Sequence, residues 1–375
     1  MKTFRRTHIL KILNDYSLQK GPLDQFLSLY FKHNKALGSN DRKEVAQTIY
    51  SVYRKLGLLN HLAADPNSWE SKLDTLPFAT RAHPSAAHHI HVSFPEDLFA
   101  RIEASHGQEK AREICNILNE TAPITLRTNT LRCTRDDLTK NLAKQYNVRK
   151  TKLSPIGIVL EDRAQLFQTK EFQDGFFEMQ DEASQMGALL ANTKPGEHVL
   201  DYCSGSGGKS LAIALTMEGK GQLYLHDIRE VALAQAKKRM KRAGVQNCQI
   251  IKPDSKNLKR LKRHMDCVFV DAPCSGTGTY RRNPEQKWRF TNKMLSELLE
   301  LQREIFANAL KYIKPTGRII YATCSILNEE NEEQVEYFLK EHDLEIVGEP
   351  LKLLPESGGS DGFFAVELKR RKIAS

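Results

Sequence analysis

From Pro195 onward the chain alternates short apolar runs with amphipathic segments of helical period, and this alternation narrows the fold more than any other feature. The runs are HVLDYC, QLYLHD, CQIIKPD, CVFVDAP and GRIIYATCS; SLAIALTM, EVALAQAKKRMKRA, MLSELLELQREIFANALKYI and EENEEQVEYFLKEH lie between or after them. A short apolar run has to be buried on both faces, and a helix between successive runs returns the chain across the sheet. The expected class is α/β, a doubly wound parallel sheet covered on both sides. LEIVGEP and FFAVELKRR, close together after the last helix, read as two further strands.

The stretch VLDYCSGSGGKS, residues 199 to 210, runs from the first strand into a glycine turn and admits two readings. A nucleoside-triphosphate P-loop needs Gly-x4-Gly-Lys-Ser/Thr. Counting back from Gly208-Lys209-Ser210, the first position is Cys203, so that pattern fails at its defining glycine. A Rossmann-type site fits better: Asp201 ends the first strand, Gly205, Gly207 and Gly208 open the turn, and Asp227 ends the next strand, where an acid can accept hydrogen bonds from ribose hydroxyls. Asp254, ending the third strand, is placed to meet an adenine amino group. Either aspartate taken singly would also serve as a helix cap. S-adenosylmethionine has a ribose and an adenine but no phosphate, which suits a turn without the full phosphate fingerprint.

Two further strand ends carry the chemistry. VDAPCSGTG puts Asp271 and Cys274 at the carboxyl end of strand four, and YATCS puts Cys324 at the end of strand five. In a doubly wound sheet ligands sit outside those ends, and neighbouring strands are only about 4.8 Å apart, so both thiols and the carboxylate converge on the cofactor. Carbon 5 of cytosine is too poor a nucleophile to take a methyl group unaided; thiolate addition at carbon 6 activates it. A carboxyl group at ring nitrogen 3 stabilises the developing charge. One strand-end cysteine would be read as an ordinary buried thiol, as Cys115, Cys133, Cys248 and Cys267 are. Two beside an aspartate, in Gly/Ser-rich turns, point to chemistry.

The rest of the chain is consistent with a nucleic-acid enzyme. Lys and Arg number 56 against 46 Asp and Glu, a formal +10 that suits a polyanion such as RNA. No apolar stretch approaches the roughly 20 residues of a membrane span, and MKTFRRTHILKIL is not followed by a signal-peptide core, so a cytoplasmic, monomeric protein without a membrane partner is expected. The seven cysteines show no CxxC spacing, and the crowded His83, His88, His89 and His91 have no Cys or acidic partner at ligand spacing, so no metal is expected. In NDRKEVAQTIYSVYRKLGLL, Val45, Ile49, Val52, Tyr53 and Leu56 recur at helical spacing. Residues 66 to 93 turn to Pro, Ser, Ala and His and read as a linker, and the glutamates of EENEEQVEYF read as a solvated face. The Arg281-Arg282 pair and Lys209 are the expected phosphate contacts, and Trp288 a possible stacking partner for a base.

DAPCSGTG, TCS, the Gly-Gly-Lys turn and FEMQDEASQ (177–185) together resemble the RsmB/NOP/Sun family of RNA cytosine-5 methyltransferases. RTNTLRCTRDDL (127–138) is similar to the family's RRM-like subdomain, RRNPEQKW (281–288) to its loop after the fourth strand, and LGSNDRKEVAQTIYSVYR (37–54) to the NusB-like helical domain of bacterial members. The resemblance implies a Rossmann-like class I methyltransferase domain over 181–375, a NusB-like helical RNA-binding domain over 1–80, a linker and helix over 81–121, and a small RRM-like α+β subdomain over 122–180. By analogy the sheet ends in an antiparallel hairpin. Carried over position by position, the resemblance makes Cys324 the nucleophile and Cys274 the thiol that assists release. Asp271 then contacts the cytosine and Lys209 lies near the reacting base. Cys203, Ser204, Gly205, Ser206, Gly207, Gly208 and Lys209, with Asp227, Asp254 and Asp271, hold S-adenosylmethionine. The family's common Ala-Ala-Pro after the first cysteine is here Ser204-Gly205-Ser206, a departure that bears on cofactor affinity. The implied substrate is 16S ribosomal RNA; the same chemistry on transfer RNA, or a catalytically retired RNA-binding assembly factor, is the alternative.

Overall fold

The computed structural model describes residues 2–16, 21–162, 164–253 and 255–371. It divides into two compact units, Met1–Thr121 with Thr279–Met294, and Ala122–Gly278 with Leu295–Ser375.

The first unit is helical: α1 (Thr3–Tyr16), α2 (Leu23–His33), α3 (Ser39–Arg54), α4 (Leu56–Leu62), α5 (Trp69–Thr75), α6 (His88–His91), α7 (Glu96–His106) and α8 (Gln108–Leu118). The helical spacing read from α3 buries Val45, Ile49, Val52 and Tyr53 against Ile9, Ile12 and Leu13 of α1. Residues 66–93 differ from the expected linker. Leu73, Ala79 and Ala82 are buried in the same core, with Trp69, Leu76, Ala86 and Ile90 packed on it. The apolar residues that do this packing are widely spaced among Pro, Ser and His, and the composition concealed them. The segment Thr279–Met294 joins the helical unit as an inserted strap. Lys287 is buried, donating from Nζ to Arg54 O (3.0 Å) and Asn119 Oδ1 (2.6 Å) beneath the Phe94 ring, and Trp288 Nε1 donates to Tyr53 O at 2.7 Å.

The second unit opens with a small antiparallel sheet. Its elements are β1 (Ile124–Thr128), α9 (Arg135–Leu142), β2 (Val148–Lys150), β3 (Gly157–Leu160), α10 (Lys170–Gln173) and β4 (Phe177–Met179), in strand order β2-β3-β1-β4. Leu126, Leu138, Leu142, Ile158, Leu160 and Phe177 form its core.

After α11 (Glu182–Leu190) comes the large sheet: β5 (His198–Asp201), α12 (Gly208–Met217), β6 (Gln222–His226), α13 (Glu230–Ala243), β7 (Cys248–Ile251), α14 (Lys256–Arg260), β8 (Met265–Asp271), α15 (Asn292–Ala309), β9 (Ile313–Thr323), α16 (Glu332–Glu341), β10 (Leu344–Leu353) and β11 (Phe363–Arg370). The order is β10-β11-β9-β8-β5-β6-β7, with β5 to β9 parallel and β11 antiparallel to both of its neighbours. Successive side chains alternate between two cores: Val199, Cys267, Phe269 and Ile320 feed one, and Leu200, Val268, Val270 and Ile319 the other. Both faces are therefore covered, and the continuous apolar runs are explained. The chain starts in the middle at β5, works outward to β7, then returns to β8 on the opposite side. That reversal opens a crevice at the carboxyl ends of β5 and β8.

Candidate active site

The turn after β5 is built from backbone. Ser204 N donates to His226 O (2.9 Å) and Gly205 N to Asp227 Oδ2 (2.8 Å), tying the turn to the end of β6. Gly207, at φ 80°, is the left-handed residue from which α12 starts; a Cβ there would also press on Ala236 Cβ at 3.1 Å. Asp227 additionally accepts from Arg229 N at 2.8 Å and from the Arg229 guanidinium at 3.0 and 3.1 Å. Burial alone would raise the Asp227 carboxyl, but these donors and Gly205 N hold it below its ordinary value. Arg229 itself is 68% exposed in its side chain, so the partner of this carboxylate lies at the surface. Ser204 Oγ is buried without a hydrogen-bond partner. A glycine turn free of side chains, an orphaned hydroxyl and a strand-end carboxylate form a donor and acceptor set that suits a nucleoside cofactor. Asp254 lies outside the described residues.

FEMQDEASQ braces this turn from behind. Arg239 Nη1 donates to Ser206 O and Oγ (3.0 and 2.9 Å) while the same guanidinium binds Glu178. Arg127, buried, donates to Gly208 O at 2.7 Å and to Gln180. Burial pushes the Arg127 guanidinium down to about 9. Gln185 and Glu182 hold the backbone of the small sheet, the first at Leu126 O and the second at Leu153 N and Ser154 N.

At the neighbouring strand ends, Lys209 Nζ is 2.6 Å from Asp271 Oδ2 and 5.0 Å from the Phe363 ring. Burial by itself would lower the Lys209 ammonium; Asp271 outweighs it and holds the group above its ordinary value. Cys274 Sγ and Cys324 Sγ are 3.5 Å apart. The contact with Cys324, together with burial, pushes the Cys274 thiol well above its usual range. Asp271, Cys274 and Cys324 thus stand at the carboxyl ends of the central strands or in the turns that follow them, and Lys209 in the first turn of α12 beside them. Lys209 is engaged with a carboxylate and is not a surface phosphate contact. Arg281 is buried, so it too fails that expectation, while Arg282 is half-buried.

The cysteine-bearing turns rest on a buried polar network that the sequence reading missed. Glu330 is fully buried and accepts from Ser275 N (2.8 Å), Ser275 Oγ and Gln302 Nε2 (3.0 Å). Gln302 Nε2 also donates to Pro273 O at 3.0 Å, and Tyr321 OH to Glu330 O at 2.8 Å. Thr277 Oγ1 meets Ser325 Oγ at 2.9 Å and accepts from Ile326 N at 3.0 Å. Gly278 N donates to Cys324 O at 2.9 Å, and a Cβ on Gly278 would lie 2.8 Å from that same oxygen, so only glycine allows the approach. Glu330 was expected on a solvated face. It precedes the first turn of α16, and helical period therefore says nothing about its direction. Asp201 was read only as a strand end; it is buried, accepts from Ser210 Oγ, and burial pushes its carboxyl up to about 7.

Strand order, crevice and turn place the larger unit among the Rossmann-like methyltransferases that use S-adenosylmethionine. Residues 188–369 match the model of the 16S rRNA methyltransferase RsmB/F family, and residues 94–166 that of its ferredoxin-like domain. The ribosomal RNA small subunit methyltransferase B of Photorhabdus laumondii is 31% identical over 299 residues, covering 76% of this chain and 68% of that protein. The protein of the same name from Pectobacterium carotovorum is 33% identical over 296 residues, again 76% and 68%. The chain belongs to the RsmB/F methyltransferase family. Among solved structures, a methyltransferase homologue from Pyrococcus horikoshii superposes with a TM-score of 0.68 at 26% identity, over 77% of this chain and all 100% of that one. The protein PH0851 superposes with a TM-score of 0.81 at 22% identity, over 96% and 97%, a likeness of fold.

Proposed function

We propose that the protein methylates carbon 5 of a cytidine in RNA, with 16S ribosomal RNA as substrate, through a covalent bond from Cys324 to carbon 6. The observation that carries this reading is the pair of thiols 3.5 Å apart at adjacent strand ends, because methylation of an amino group would need neither. The curated relatives are named as small-subunit rRNA methyltransferases, which supports the choice of RNA.

S-adenosylmethionine supplies the methyl group and would be held by the turn from Cys203 to Lys209 and by Asp227, with Asp254 as a further expected contact. Cys324 attacks carbon 6 of a base flipped out of its stack, and the electron pair displaced from the ring double bond enriches carbon 5. A proton on ring nitrogen 3, held by the Asp271 carboxylate that Lys209 fixes in place, takes up the charge that develops there as the thiolate adds. Carbon 5 takes the sulfonium methyl, leaving S-adenosylhomocysteine; its proton then passes to a base from solvent, the ring double bond re-forms, and the Cys324 thiolate is expelled, taking a proton from the Cys274 thiol. Cys274, whose thiol is pushed well above its usual range, keeps its proton at neutral pH; it therefore does not compete as a nucleophile and assists release.

Incubating the protein with RNA and methyl-labelled cofactor, then locating the label by bisulfite sequencing, tests the reading. Label in 16S RNA at a bisulfite-resistant cytidine is the expected result. Label confined to transfer RNA would move the substrate, and RNA binding without incorporation would mark a retired assembly factor.

A further inference from the structure

At the end of the large sheet opposite the cysteines, Lys262, Arg263, Lys311 and Arg370, with Ile313 and Pro315, line a cavity of about 440 Å3. All four cations are exposed, and among the described residues no carboxylate lines the cavity with them. Three separate parts of the chain are brought together here: the segment before β8, the segment entering β9, and the end of the antiparallel strand β11. Two hydrogen bonds tie these parts together. Arg263 N donates to Lys311 O at 3.1 Å with Arg263 itself in the left-handed region at φ 61°, and Arg370 Nη2 reaches Leu310 O at 3.5 Å. Lys259 and Arg260, also exposed, extend the same charge along α14.

Like charges gathered in a concavity repel one another and focus a positive field, an arrangement that becomes favourable when a polyanion fills it. We propose that this pocket is a second RNA contact, binding the sugar-phosphate backbone of a segment remote from the target nucleotide. The proposal rests on the reading that the substrate is RNA. The pocket's lysines and arginines are exposed, unlike Lys209 and Arg281, and among the described residues no salt bridge engages them, so they meet the requirement for exchanging counterions with phosphates. The catalytic turns lie at the other end of the strands, so this contact acts on affinity and leaves chemistry alone.

The test uses the full chain carrying Lys262→Gln and Lys311→Gln together, beside a charge-matched control, Lys140→Gln with Lys340→Gln, on exposed positions of α9 and α16. Labelled polyuridylate, which offers no cytidine, is titrated against each protein over a range of salt. Losing two phosphate contacts should flatten the log–log salt slope by roughly 1.4 and weaken binding by about 25-fold near 0.1 M salt. The control should do neither. Equal slopes for the pocket pair and the control would overturn the proposal, as would loss of binding to anionic phosphatidylglycerol vesicles with polyuridylate binding unchanged. Methyl incorporation into RNA at saturating substrate should match the parent protein in the pocket pair. A parent that transfers no methyl group while the slope difference persists would remove the catalytic reading and leave this one standing.

Discussion

The Sγ of Cys274 lies 3.5 Å from the Sγ of Cys324, although 50 residues separate them in sequence. The contact exists because β8 and β9 are hydrogen-bonded neighbours whose following turns are stitched together by Thr277, Ser325 and Gly278. Two thiols that close together can act on the same adduct in succession, and the difference between them then becomes measurable.

With Cys324 as nucleophile, Cys324→Ala should abolish methyl transfer and leave no RNA attached to the protein. Cys274→Ala should still add to the base but fail to release it, and RNA should accumulate as a band that survives SDS. Neither thiol belongs to the glycine turn, so both variants should bind cofactor as the parent does. Adducts from Cys324→Ala and none from Cys274→Ala would reverse the two roles.

Cofactor affinity should respond in opposite senses to the two residues that now bind each other at the end of β6. Asp227→Ala removes the carboxylate proposed to receive the ribose; losing hydrogen bonds to a charged acceptor, worth about 1.5–3 kcal/mol each, should weaken binding at least tenfold. Arg229→Ala removes the guanidinium that occupies that carboxylate, and affinity should hold or improve. Calorimetric titration with S-adenosylhomocysteine distinguishes these outcomes, with a parallel loss in both variants arguing that Asp227 is purely structural.

Asp201 should give the fold a pH signature. Its carboxyl is pushed up to about 7 from 3.8, so the native state holds this proton more tightly than the unfolded chain does. The stability it contributes is complete below pH 3.8 and is lost as pH rises towards 7. Asp201→Asn carries no such titration. The gap in unfolding free energy between variant and parent should widen in the variant's favour from about pH 4 to pH 7 and then level off, a total on the order of 4 kcal/mol, read as a rising difference in melting temperature. A constant gap across that range would mean that the burial of Asp201 is compensated elsewhere.

Glu330 should matter more to the fold than its charge-rich surroundings suggest. Glu330→Ala takes from Ser275 N and Oγ the carboxylate they donate to and from Gln302 Nε2 one of its two acceptors, at a cost of about 2–4 kcal/mol in urea denaturation. Glu330→Gln, which keeps an oxygen in place, should cost less and retain part of the activity. If both substitutions leave the denaturation midpoint unmoved, the network does not support the cysteine turns.

The sequence by itself determined the doubly wound sheet, the position of the glycine turn and the strand ends bearing Asp227, Asp271, Cys274 and Cys324, because strand-length apolar runs and short polar turns are local properties. The small α+β subdomain was legible only through the resemblance carried by RTNTLRCTRDDL, and its antiparallel strand order came from the structure. Only the tertiary structure decided which polar residues are internal. Lys287, Arg281 and Glu330 look like solvated charges in the chain, yet each is buried where residues distant in sequence surround it. The same holds for the covered segment 66–93, whose alanines acquire a core only when α1 and α3 provide one, and for the pairing of Lys209 with Asp271 across 62 residues. Periodicity records which way a side chain points on its own element. Burial of a charge depends on partners from other elements, and those exist only once the chain has folded.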